Sequence, residues 1–260
     1  MGRGAGGEGP EPELFAQVRA LLAGGSPAGF LELISGLVAA ADPVAGGGAG
    51  GVPSLGELVA TFAGVERDET TALLAGFAAL ASAEDARRAA SRELASRRHP
   101  LPDWLASLDR ARLARAARSV RDPIEEQELL VELEVVGGAP VTVVVLLGSP
   151  DPAGCPEGSP PVPDARPPGR ARGAPVDAYV SGLPLEALVP SGAPGGPGAR
   201  WWELDPEVAR AELGALLGSG AGAGVVGGAD RGSQRWSASR PLLAWVARIG
   251  VTDTPRRAGA

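Results

Sequence analysis

The chain contains no lysine and no asparagine, so all 24 of its basic residues are arginine. Without lysine it can form no Schiff base and no phosphate-cradling loop of the Walker type. Without asparagine it has no N-glycosylation acceptor. His99 is the only histidine and Cys155 the only cysteine, too few for a conventional zinc site of about four nitrogen and sulfur ligands. A lone cysteine cannot close an internal disulfide, so the fold does not depend on an oxidising compartment. The most apolar stretches, near Thr70–Ala83 and Val135–Gly148, fall short of the ~20 residues that span a bilayer. Met1–Phe15 is rich in Gly, Pro and Glu and lacks the basic-then-apolar order of a signal peptide. Gly2 is no myristoyl acceptor, because position 6 is Gly where Ser or Thr is required. These absences predict a soluble cytoplasmic protein with no membrane partner, no metal and no cofactor.

Glycine and proline are abundant instead, 39 and 25 of 260 residues, but clumped. Four segments read as flexible linkers: 43–52, 149–175, 191–199 and 218–228. Elsewhere 44% hydrophobic content is enough for a core. Glu11–Ala23 reads as a helix. Ser26-Pro27 opens a second, with Phe30, Leu33, Ile34, Leu37 and Val38 on one face. Ser54 and Glu57 form a capping box before a third. Thr70–Ala81 is a helix too apolar for the surface, and Ser82 with Asp85 caps a fifth running to about Arg97.

After Asp122 the period changes. Leu129, Val131, Leu133 and Val135 alternate with Glu128, Glu132 and Glu134, the pattern of a strand with one wet face. Gly137-Gly138 signals a hairpin. Val141–Leu147 is apolar on both faces and reads as an interior strand. Val176–Ser181 is a third strand, while Arg115–Arg121 suits either a strand or a helix end. Asp205-Pro206 caps a helix to Leu217, and Ser239–Ile249 is the last. The expected fold is α+β, a helical region 1–121 on an antiparallel meander 122–190 interrupted by 149–175, then a linker and C-terminal helices 191–260.

His99-Pro-Leu-Pro-Asp-Trp-Leu105, Pro184-Leu-Glu-Ala-Leu188, Asp205-Pro206-Glu-Val-Ala-Arg210 and Arg240-Pro-Leu-Leu-Ala-Trp245 together resemble an uncharacterised family of cytoplasmic proteins from GC-rich actinobacteria. The missing lysine and asparagine, both with AT-rich codons, agree with such a genome. The resemblance is scattered over roughly residues 26–248. It implies no activity, since none of its motifs is catalytic. Where that family has a short Asp-rich connection after the hairpin, this chain has 149–175 and keeps only Asp151 and Asp164.

Charge runs in blocks. Residues 84–121 hold ten Arg against five acids, and 122–148 hold six acids and no base. Opposite blocks can attract within the fold or face separate partners. Arg112, Arg115 and Arg118 step by three, so on a helix they would form one cationic ridge able to contact phosphates. Weighing against nucleic acid are the net charge of −7 and the lack of a recognisable binding module. The acidic strand face around Glu125, Glu126, Glu128, Glu132 and Glu134 reads as a solvated sheet surface.

No catalytic residue emerges. His99 sits at a helix end, where histidine commonly caps carbonyls, and no elbow serine accompanies it. Cys155 lies in a linker without a fixed base. Gly222-Ala-Gly224-Val-Val-Gly227 matches a dinucleotide fingerprint formally, but a helix precedes it where a strand is required. Trp201 and Trp202, if extended, point to opposite faces, and an outward indole could anchor a protein partner. The reading is therefore a non-enzymatic protein-interaction module whose contact residues are Trp201 and Trp202. The alternative is a nucleic-acid-associated regulator using the ridge around 110–121.

Overall fold

The computed structural model describes residues 13–41, 53–121, 126–148, 175–189, 199–218 and 230–252. The expected linkers fall almost wholly outside the described residues, as do Cys155 and Gly222–Gly227. Five helices come first: α1 (Glu13–Ala23), α2 (Pro27–Ala40), α3 (Leu55–Ala63), α4 (Asp68–Leu80) and α5 (Glu84–Ser96). A short α6 (Asp103–Ala106) leads into the sheet strands β1 (Arg112–Arg121), β2 (Glu126–Glu134), β3 (Val141–Leu147) and β4 (Pro175–Ser181). Then follow α7 (Leu185–Leu188), β5 (Ala199–Leu204), α8 (Pro206–Gly218), α9 (Asp230–Val246) and β6 (Gly250–Val251). The strand order is β4-β3-β2-β1-β5, antiparallel throughout, with β6 pairing parallel to the start of β1. The fold is α+β, an antiparallel sheet flanked by helices.

Local chemistry explains much of this. Ser54 Oγ accepts from the Glu57 backbone N–H, while the Glu57 carboxylate accepts from the Ser54 N–H at 2.8 Å. This reciprocal pairing satisfies orphan donors at the start of α3. Asp205 accepts from the Glu207 N–H at 2.8 Å and caps α8. Gly137, at φ +75°, turns the β2–β3 hairpin. The neighbouring Gly138 lies so close to Trp104 that a Cβ would stand 2.9 Å from the indole's own Cβ. Trp104, from the His99–Leu105 motif, thereby joins the hairpin to Phe30 of α2, whose ring it meets edge-on at 5.5 Å.

Three expectations need correction. The stretch left open as strand or helix end is a strand beginning at Arg112, so the helices give way to the sheet before residue 121, because β1 gains a strand partner on both sides. Beyond residue 191, β5 adds a further strand to what was read as a linker and helices. Helix α5 is preceded by Ala83 rather than capped by Ser82, and no side chain caps it.

Helix α9 starts well before Ser239 and carries Pro241 in its interior. A mid-helix proline removes a donor and clashes with the preceding turn. Ser35 of α2, fully buried, repairs the gap. Its hydroxyl donates to the Ala238 carbonyl at 2.6 Å and accepts from the Leu242 N–H at 3.1 Å.

The sheet divides the core unequally. Leu129, Val131, Leu133, Val143, Val145 and Leu147 face the large cluster built with α1–α5, α8 and α9. The alternate residues Ala117, Leu130 and Val144 face a small cluster under α7, with Leu185, Val189 and Trp201. Both faces of β3 are therefore covered, as its unbroken apolar run predicts. Among the described residues no helix is long and apolar enough to cross a membrane.

Candidate functional site

The helical condition for an arginine ridge is not met, because Arg112–Arg121 is a strand with a bulge between Leu113 and Arg115. Register places Arg112 opposite Glu134 and Arg115 opposite Glu132, both on the α7 side of the sheet. Arg118 stands opposite Leu129 on the other face, is 3% exposed, and pairs with Glu212 of α8. A strand alternates its side chains, so residues spaced by three cannot share a face unless a bulge intervenes. The bulge unites Arg112 with Arg115 and leaves Arg118 behind.

Register sets the positive and negative sequence blocks opposite each other across β1 and β2, Arg112 against Glu134 and Arg115 against Glu132. Opposite charges facing each other across strands favour this pairing. Arg115 also reaches Glu186 at 2.8 Å and Glu203 at 2.7 Å. The Glu203 hydrogen bond, with the charges of Glu203, Glu132 and Glu186, raises the Arg115 pKa further above its ordinary value, against a smaller desolvation effect. The glutamate face is not simply solvated. Glu128 is buried, and Glu132 accepts the Leu185 N–H at 2.5 Å, holding the start of α7 on the sheet.

Trp201 and Trp202 lie in β5 opposite Ser119 and Arg118 and point to opposite faces, as an extended segment requires. Trp201 packs in the small cluster. Each ring is half-buried, yet each indole N–H is buried without an acceptor among the described residues. Strand β5 ends the sheet on this side.

His99 does not cap carbonyls. Its Nδ1 lies 2.6 Å from the Asp68 carboxylate at the start of α4. Among the described residues no group of three or more His, Cys, Asp or Glu side chains is placed to hold a metal.

Two arginine arrangements on α5 escaped the sequence reading. At its C-terminal end Arg97, whose side chain is 3% exposed, donates to the carbonyls of Phe62, Ala63 and Val65 at 2.8–3.0 Å and to Glu93 at 3.0 Å. It thus closes the C-terminal end of α3, where carbonyls lack helical partners. Toward its N-terminal end an open cleft of about 810 Å³ is lined by Ala78, Asp85, Arg87, Arg88, Ser91 and Arg92. The spacing of 87, 88 and 92 was a usable helical signal, overshadowed by the tidier run of threes further on.

Compared with known proteins, the chain matches no family model, no curated protein and no solved structure.

Proposed function

We propose that this chain is a non-enzymatic cytoplasmic protein-interaction module, and that β5 is where its partner docks. The observation that carries the reading is the combination at this strand. It terminates the sheet, so its outer backbone groups have no strand partner among the described residues, and it carries two adjacent half-buried tryptophans. An exposed strand edge is a template for pairing with an extended segment of another chain. Tryptophan supplies large anchoring area at such contacts. Nucleic-acid binding through Arg112, Arg115 and Arg118 is the weaker reading, because one of the three is engaged inside the protein with Glu212.

The test is a photo-crosslinking residue at the exposed Glu203 position of the full chain in its host, with Trp201→Ala and Trp202→Ala as controls. The reading requires one crosslinked species that disappears in at least one tryptophan variant while the melting temperature holds. It fails if both variants are strongly destabilised, or if crosslinking persists in both.

A further inference from the structure

The cleft on α5 gathers more positive charge than its own acids neutralise. Glu84 pairs with both Arg87 and Arg88, the latter at 2.7 Å. Arg92 has no acid partner among the described residues, and neither has Arg248, which follows α9. Arg248 comes close enough to Arg87 for the two charges to repel. Burial first, and that repulsion second, hold its pKa below the ordinary arginine value. Three guanidinium groups thus line the cleft, against Glu84 and Asp85 among the described residues.

We propose that this cleft binds a small oligophosphate, with Arg87, Arg88 and Arg92 as the phosphate-binding groups and Ser91 as an additional donor. Guanidinium groups form planar, multiply hydrogen-bonded contacts with phosphate oxygens, and an anion there offsets the surplus positive charge of the lining. Arg88 and Arg92 are one helical turn apart, about 6 Å, which suits two or three linked phosphoryl groups better than a single one. The volume falls within the roughly 300–1,000 Å³ of small-ligand sites. Among the described residues the lining carries no aromatic ring, so recognition rests on the phosphates rather than on a stacked base. A long nucleic-acid backbone is disfavoured by the acidic total of the chain, −7, since it would have to run past the surrounding surface. This site is independent of the β5 edge.

The experiment is titration calorimetry of the full chain with tripolyphosphate, ATP and a short duplex DNA, at low and at physiological salt. Tripolyphosphate should bind one to one and weaken with salt, with ATP no tighter. Arg92→Ala and Arg88→Ala should each weaken it about tenfold, the size of one charge-assisted hydrogen bond. Both residues are exposed, so their melting temperatures should not move. The charge reversal Arg92→Glu, at an exposed position, should abolish binding. The proposal is overturned by no detectable binding of tripolyphosphate at low salt, or by affinities unchanged in the variants. It is also overturned if duplex DNA binds more tightly than tripolyphosphate through the same arginines, which would make the cleft part of a nucleic-acid surface.

Discussion

The two ends of helix α5 use the same residue type to opposite purposes. Arg97 is enclosed, with its donors spent on the Phe62, Ala63 and Val65 carbonyls and on Glu93. Arg88 and Arg92, on the same helix, stand exposed beside an open cleft. In a chain without lysine, arginine must serve both as an internal cross-link and as surface charge. The difference lies in what each meets. Arg97 finds the unsatisfied end of another helix, whereas Arg92 finds solvent and other cations.

Substitution of Arg97 should sharpen this contrast most. Arg97→Ala removes the donor to the Ala63 carbonyl and the Glu93 carboxylate, and leaves the Phe62 and Val65 carbonyls with one donor each, the Val65 N–H and the Thr70 hydroxyl. Denaturant unfolding should show a loss of about 3–5 kcal/mol, the usual cost of breaking a buried charged network. Arg97→Lys should recover only part, because an ammonium cannot reproduce the planar fork. A loss no greater than that of Arg92→Ala would erase the distinction between the two ends.

The Arg118–Glu212 pair extends the comparison to β1. Glu212→Ala should cost about 3 kcal/mol by stranding a buried guanidinium, while the joint change Arg118→Met with Glu212→Leu should be close to neutral. A double-mutant cycle by thermal or urea unfolding separates the two outcomes.

Ser35 performs Arg97's task with a neutral group, supplying hydrogen bonds that a helix lacks. Ser35→Ala should cost about 1–2 kcal/mol, the price of an unmet buried donor. Hydrogen exchange should show the faster opening at Leu242.

The smallest effect belongs to the exposed end of α3. Hydrogen bonds from the Ser54 backbone and then its side chain lower the Glu57 pKa. A depressed carboxylate contributes stability that is present above its unfolded pKa, about 4.3, and is lost as pH falls through its lower folded value. Glu57→Gln should therefore slightly flatten the acid limb of the stability curve between about pH 5 and pH 3. It should change nothing near neutrality beyond a small capping loss.

Short-range chemistry was legible in the chain. The Ser54–Glu57 box, the Asp205 cap, the Gly137-Gly138 hairpin and the doubly apolar β3 all appear where their residues predict. The candidate sites were less legible. The step of three in Arg112, Arg115 and Arg118 suggested a helical ridge. Pairing with β2 and β5 outweighs that local period, and a bulge decides which arginines share a face. Proline at 241 reads as a helix breaker unless one knows that Ser35, 203 residues away in the hydrogen bond to Ala238, fills the gap.

The sequence by itself determined the α+β class, most element boundaries and the alternation that makes β2 one-sided, because each depends on residues within a turn or a hairpin of one another. Only the tertiary structure decided which arginines are internal and which are available. It also decided that the acidic and basic blocks lie opposite each other in the register of β1 and β2, and that β5 closes the sheet with its tryptophans on opposite faces. Those outcomes rest on contacts between residues far apart in the chain, where neither charge nor spacing names the partner.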